Sequence, residues 1–121
     1  MTSYPDPDSD LNAALPLTEA TFFILLSLAP GAKHGYAILK EVPHLSRQRV
    51  TLSTGTLYGA LKRLLTAGWI DRVDESSPDD TTRTPKAYVL TERGRRILGA
   101  ETARLRALVQ AAEQQPAAEG I

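Results

Sequence analysis

The residues best suited to chemistry lie between Val50 and Leu64. Ser53, Thr54, Thr56 and Tyr58 bring hydroxyls, Gly55 occupies almost no space, and Lys62 and Arg63 bring two positive charges. This set suits close approach to a polyanion, with hydroxyls and cations meeting phosphates. A nucleic acid backbone is the polyanion it fits best. Tyr58 and Lys62 are four residues apart, so a helix would put them on adjacent turns of one face. The competing explanation is a surface amphipathic helix whose polar side is simply solvated.

Other chemistries find little foothold. The sequence contains no nucleophile elbow, no glycine-rich phosphate loop and no paired-carboxylate spacing, so no catalytic residue and no enzyme is expected. Cysteine is absent and His34 and His44 are the only histidines, so neither a metal site nor a cofactor is expected. A chain without cysteine fits a reducing compartment, and a cytoplasmic location is expected. Met1 to Asp6 lacks the basic and apolar regions of a signal peptide, and the apolar run from Phe22 to Leu26 is too short to span a bilayer.

The elements that would position these residues can be read in order. Thr18 caps a first, mostly apolar helix that runs to about Leu28, with Leu17 ahead of it as a staple residue, and Pro30-Gly31 ends it. A second helix is predicted from about Gly35 to Val42, stopped by Pro43. Val50 and Leu52 alternate with polar residues and predict a short first strand. Ser53 then caps a third helix that reaches Ala67, with Leu57, Leu61 and Leu64 on its buried side and Gly68 at its end. Trp69 to Val73 and Lys86 to Leu90 read as two strands joined by an acidic loop over Asp74 to Thr82. Thr91 caps a fourth helix from Glu92 to about Gln114.

The 121 residues suit one domain with a modest core, and 42% hydrophobic and 23% charged residues are ordinary for a globular chain. Residues 1–14 read as a disordered acidic tail, 15–91 as the main domain, 92–114 as the last helix and 115–121 as a second disordered tail. Net charge is zero, but its distribution is uneven. Residues 21–64 hold six bases against Glu41 alone, whereas residues 65–82 hold five acids against Arg72. The part that would face a polyanion is locally basic. Overall neutrality predicts weak non-specific binding.

Helix, hairpin, helix in this order is a winged helix: a mainly α fold with a small β-hairpin, built on a helix-turn-helix. Within that frame the chain resembles the PadR family of bacterial transcriptional regulators. The resemblance rests on Leu17-Thr18-Glu19-Ala20, His34-Gly35-Tyr36-Ala37-Ile38, Leu52-Ser53-Thr54-Gly55-Thr56-Leu57-Tyr58, Lys62-Arg63-Leu64, Gly68-Trp69-Ile70 and Tyr88-Val89-Leu90-Thr91-Glu92-Arg93-Gly94. It covers about Leu15 to Ala112. It departs at Thr54, where the family often has Pro, and in a second wing strand poorer in Arg and Tyr.

The resemblance implies a homodimer that binds a double-stranded DNA operator, most often as a repressor answering to a small-molecule effector. His34, Tyr36, Ser53, Thr54, Gly55, Thr56, Tyr58, Lys62 and Arg63 are the expected contacts, with Arg83 and Lys86 added by the wing. His34 reads equally as a helix-start residue bonding a loop, and Tyr36 and Tyr58 as packed tyrosines. The fourth helix has a thin apolar stripe, so Leu98, Leu105, Leu108 and Val109 are expected to form the dimer. It carries no aromatic residue, which argues against a stacking site built on that helix. The alternative is a winged-helix interaction module that docks a partner protein through the fourth helix.

Overall fold

The computed structural model describes residues 11–74 and 86–115, with Asp74 and Lys86 described by their backbone alone. After a helical turn at 11–13, the described elements follow in order: α1 (Glu19–Ser27), β1 (Lys33–His34), α2 (Gly35–Leu45), α3 (Thr54–Ala67), β2 (Ile70–Asp74), β3 (Lys86–Leu90) and α4 (Glu92–Glu113). The strands form one antiparallel sheet in the order β1-β3-β2, with Ile70 opposite Leu90, Asp74 opposite Lys86, and His34 opposite Ala87. The acidic loop expected after Asp74, and Arg83 with it, lie outside the described residues.

Three helices start on the caps that the sequence indicates. The side chains of Thr18, Ser53 and Thr91 accept from the backbone N–H groups of Thr21, Thr56 and Gly94, satisfying donors that a helix start leaves open. Gly68 ends α3 at φ 79°, a left-handed conformation that glycine adopts freely. Thr91 also donates to the Gly68 carbonyl at 2.6 Å, and its N–H donates to the Trp69 carbonyl at 3.1 Å. The start of α4 is thereby fastened to the end of α3. Gly94 fits there because a Cβ would drive into the Trp69 carbonyl.

The core lies where the helices meet the sheet. Ile24, Leu25, Leu28, Ile38, Val42, Leu57, Ile70 and Ile97 are fully buried. Each such side chain contributes about 1.5–3 kcal/mol relative to exposure. In α3 the buried positions are Leu57, Ala60, Leu61 and Leu64, the periodicity that the sequence shows.

Several sequence expectations differ from the structure. The first strand is not at Val50 and Leu52. The Ser46 hydroxyl accepts from the Val50 N–H at 3.0 Å and lies 3.3 Å from the Val50 carbonyl, so a side chain occupies the groups that a sheet would use. The first strand, β1, is instead Lys33–His34, immediately before α2. Helix α2 also continues through Pro43 to Leu45. Proline there removes one N–H in the last turn, and that turn is closed instead by Ser46 donating to Val42 and Gln48 donating to Pro43. Arg47 and Gln48 take positive φ to make that closure. Finally, residues 11–13 form a helical turn and Leu11 is buried in the core, whereas the sequence places both in the acidic tail.

Candidate nucleic-acid interface

Opposite its buried side, α3 presents Gly55, Gly59, Lys62 and Thr66, spaced to fall on one face at 3.6 residues per turn. Gly55 has nothing within 4 Å of where a Cβ would stand, and Gly59 has only the Arg63 guanidinium, at 3.7 Å. The middle of this face is therefore low, with hydroxyls at its start and a lysine beyond it. The Ser53 hydroxyl donates to the Thr56 hydroxyl at 2.8 Å while accepting the Thr56 N–H, so those two residues are tied to the cap. Thr54 and Gly55 stand exposed beside them.

Lys62 and Arg63 diverge. Lys62 lies on the glycine face; Arg63 borders a cleft of about 300 Å³ shared with Pro16, Leu17, Thr18, Leu64 and Trp69, with its guanidinium beside Gly59 at the edge of that face. Tyr58 leans the other way, toward α2. Its hydroxyl occupies the place where a Cβ on Gly35 would stand, and the ring remains 45% exposed. Beside it, Tyr36 is 67% exposed with the Lys40 ammonium 5.2 Å from its ring centroid, a cation–π pair on the outer face of α2. His34 is half-buried, paired through its backbone with β3, and serves as the N-cap residue of α2 without a side-chain cap bond. Beneath this junction Tyr88 is buried, and burial pushes its phenol above the usual range against the opposing pull of Arg72.

The structure sorts the six bases of residues 21–64. Lys33 pairs with Glu41 at 2.6 Å and donates to the Ser27 carbonyl. Arg49 pairs with Glu19 at 3.0 Å, and the same pair, hydrogen bond first, draws the Glu19 carboxyl below its ordinary range. Lys40, Arg47, Lys62 and Arg63 are exposed and form no ion pair with another described residue. Among the described residues, those four of the six are left for a ligand.

The structure thus brings Tyr36, Ser53, Thr54, Gly55, Thr56, Tyr58 and Lys62 to adjoining parts of α2 and α3, and sets Arg63 at the edge. Arg83 and the Lys86 side chain lie outside the described residues. Gly59 and Lys40 join this surface beyond the expected contacts. The signals were present: Gly59 follows Gly55 at helical spacing, and Lys40 follows Tyr36 by four. On α4, Leu98 is buried in this chain's own core, while Leu105, Leu108 and Val109 are exposed.

A family model described as the transcriptional regulator PadR-like family matches residues 24–100, a stretch running from α1 through α2, α3 and the hairpin into α4. The chain belongs to the PadR-like family. A PadR family transcription regulator from Clostridium difficile R20291 is 27% identical, with 80% of this chain matched to 97% of that one at a TM-score of 0.67. PadR of Bacillus subtilis, solved in complex with operator DNA, is 26% identical, with 70% of this chain covering 47% of that one at a TM-score of 0.61. A transcriptional regulator from Clostridium thermocellum, 19% identical at a TM-score of 0.64, shares the fold. A search of curated proteins finds no match. As a PadR-like protein the chain is a transcriptional regulator with a winged-helix fold. Among the described residues, no helix is long and apolar enough to cross a membrane.

Proposed function

We propose that this PadR-like chain is a cytoplasmic repressor that binds a double-stranded operator as a homodimer and releases it on binding a small-molecule effector. The observation that carries DNA binding is the outer face of α3: two glycines at its centre, hydroxyls at its capped start, and Lys62 beside it with no ion pair among the described residues. A groove wall can approach such a face closely, and its phosphates can then reach Lys62, Lys40 and the Tyr36 hydroxyl. Ser53, Thr54, Gly55, Thr56 and Tyr58 are the proposed contacts of the reading helix. Arg63 and His34 flank them, and Arg83 and Lys86 extend the contact through the wing.

Dimerisation is supported by α4. Beyond Arg104 every residue of this helix is exposed, Leu105, Leu108 and Val109 among them. A solvated helix of this kind gains little from its own propensity. Effector response is supported by the cleft beside Arg63, which gives a small molecule access to the reading helix.

The test is selection of duplexes from a random-sequence library by the full-length protein, followed by footprinting and sedimentation. The expected result is a dimer protecting two half-sites about 10 bp apart or a small multiple of that. Failure to retain any duplex at moderate salt, with a partner protein bound through α4 instead, would replace this reading with that of an interaction module.

A further inference from the structure

Glu101 is the one charged residue buried among the described residues, with 2% of its surface exposed. It sits in the middle of α4, and its carboxylate joins two distant pieces of chain. One oxygen accepts the Leu17 backbone N–H at 2.8 Å, across 84 positions of sequence. Both oxygens receive the Arg104 guanidinium, which lies at the surface one turn further along. Leu17 immediately precedes the cap of α1, so Glu101 fastens α4 to the start of α1.

The position of this bond matters because of what surrounds it. The start of α4 is fixed by Thr91 and by the close approach of Gly94 to Trp69. Ile97 and Leu98 follow with apolar contacts, which set depth but carry no direction. Glu101 is the last buried residue of the helix, and from Leu105 onward α4 stands free. Its directional anchors lie in the first turn, where Arg95 also donates to the Ala29 carbonyl at 3.4 Å, and at Glu101, and removing the second leaves the helix to pivot on the first turn. From Gly94 to Glu113 is about 28 Å at the rise of an α-helix. A tilt of about 7° there moves the far end by ~3.4 Å, the rise of one base pair.

We propose that Glu101 is a positioning residue that sets the angle of α4 on the DNA-binding body and so selects the spacing between operator half-sites. This rests on the reading of α4 as the homodimer helix. The carboxylate touches no DNA. It acts by holding the reading helices of the two copies at one separation.

The experiment uses full-length protein and the duplex selected from the random library, rebuilt with the spacer between half-sites lengthened and shortened by single base pairs. Wild-type protein should lose ~10-fold or more in affinity for each one-base-pair change. Glu101→Leu should flatten that profile to within ~3-fold, with affinity for a single half-site duplex unchanged. Arg104→Met, which removes only the surface partner, should flatten it in the same direction, and Glu101→Gln, which still accepts the Leu17 N–H, should flatten it least. If Glu101→Leu fails to fold, Arg104→Met and Glu101→Gln decide the matter. A profile as sharp as wild type in a variant that sediments as a dimer overturns the proposal. Wild-type protein that sediments as a monomer on its duplex overturns the dimer reading instead.

Discussion

The Tyr58 hydroxyl fills the space that a side chain on Gly35 would occupy, so α2 and α3 meet through a tyrosine laid over a glycine. Gly94 has a similar neighbour of a different kind, the backbone carbonyl of Trp69. A tyrosine can rotate away, whereas that carbonyl is held by the Thr91 N–H. Gly35→Ala should therefore lower stability by about 1 kcal/mol, and Gly94→Ala by about 3 kcal/mol. Thermal melts of the two variants check the order. Equal losses would mean that Tyr58 is as firmly held as the backbone.

Leu57 is fully buried at the first inward position of α3. Leu57→Ala should cost about 2–5 kcal/mol. DNA binding should fall only in proportion to unfolding. Denaturant titration beside a binding curve taken well below the melting temperature separates the two effects.

Lys62→Ala should leave the melting temperature unchanged, since the residue is exposed and has no ion pair among the described residues. It should weaken binding to all duplexes alike and reduce the slope of log affinity against log salt by roughly one. Arg63→Ala should reduce the slope less, because Arg63 is shared between the edge of the glycine face, where its guanidinium stands beside Gly59, and the cleft. An unchanged slope for Lys62→Ala would remove it from the phosphate contacts.

The Glu101 carboxyl is held below its ordinary range, first by the Arg104 hydrogen bond and further by the Leu17 N–H, against the opposing effect of burial. A lowered folded-state value means that the carboxylate stabilises the fold above the unfolded value of about 4.3 and ceases to do so as pH falls through the folded value. The stability difference between wild type and Glu101→Gln should be constant near neutral pH and shrink in acid. The exposed Glu19–Arg49 pair is shared by both proteins and contributes little. A difference that grows in acid would contradict this assignment.

The helices were legible because their signals are local. Thr18, Ser53 and Thr91 mark the starts of α1, α3 and α4, and Gly68 marks an end; each acts on backbone groups within four residues. The exposed face of α3 follows the same rule, since its hydroxyls and Lys62 recur at helical spacing, although Gly59 is not marked out there by its own residue type. What escaped depends on distant partners. Two residues, Lys33 and His34, are too few to show alternation, and they form a strand only because β3 lies alongside. Pro43 reads as a stop unless the bonds made by Ser46 and Gln48 are known. Leu11 looks like part of an acidic tail, and Glu101 looks like one more surface charge on α4. Their burial is decided by chain far away in sequence.

The sheet carries one more consequence. Its outer strands are β1 and β2. The first is only two residues long, and the second bears Asp71, Arg72 and Asp74 among its five residues. A short edge and a charged edge are both poor templates for adding a strand from another molecule. Among the described residues the sheet therefore offers little on which a second molecule could stack. If copies of this chain meet, as proposed above, the helical surfaces are where they would do so.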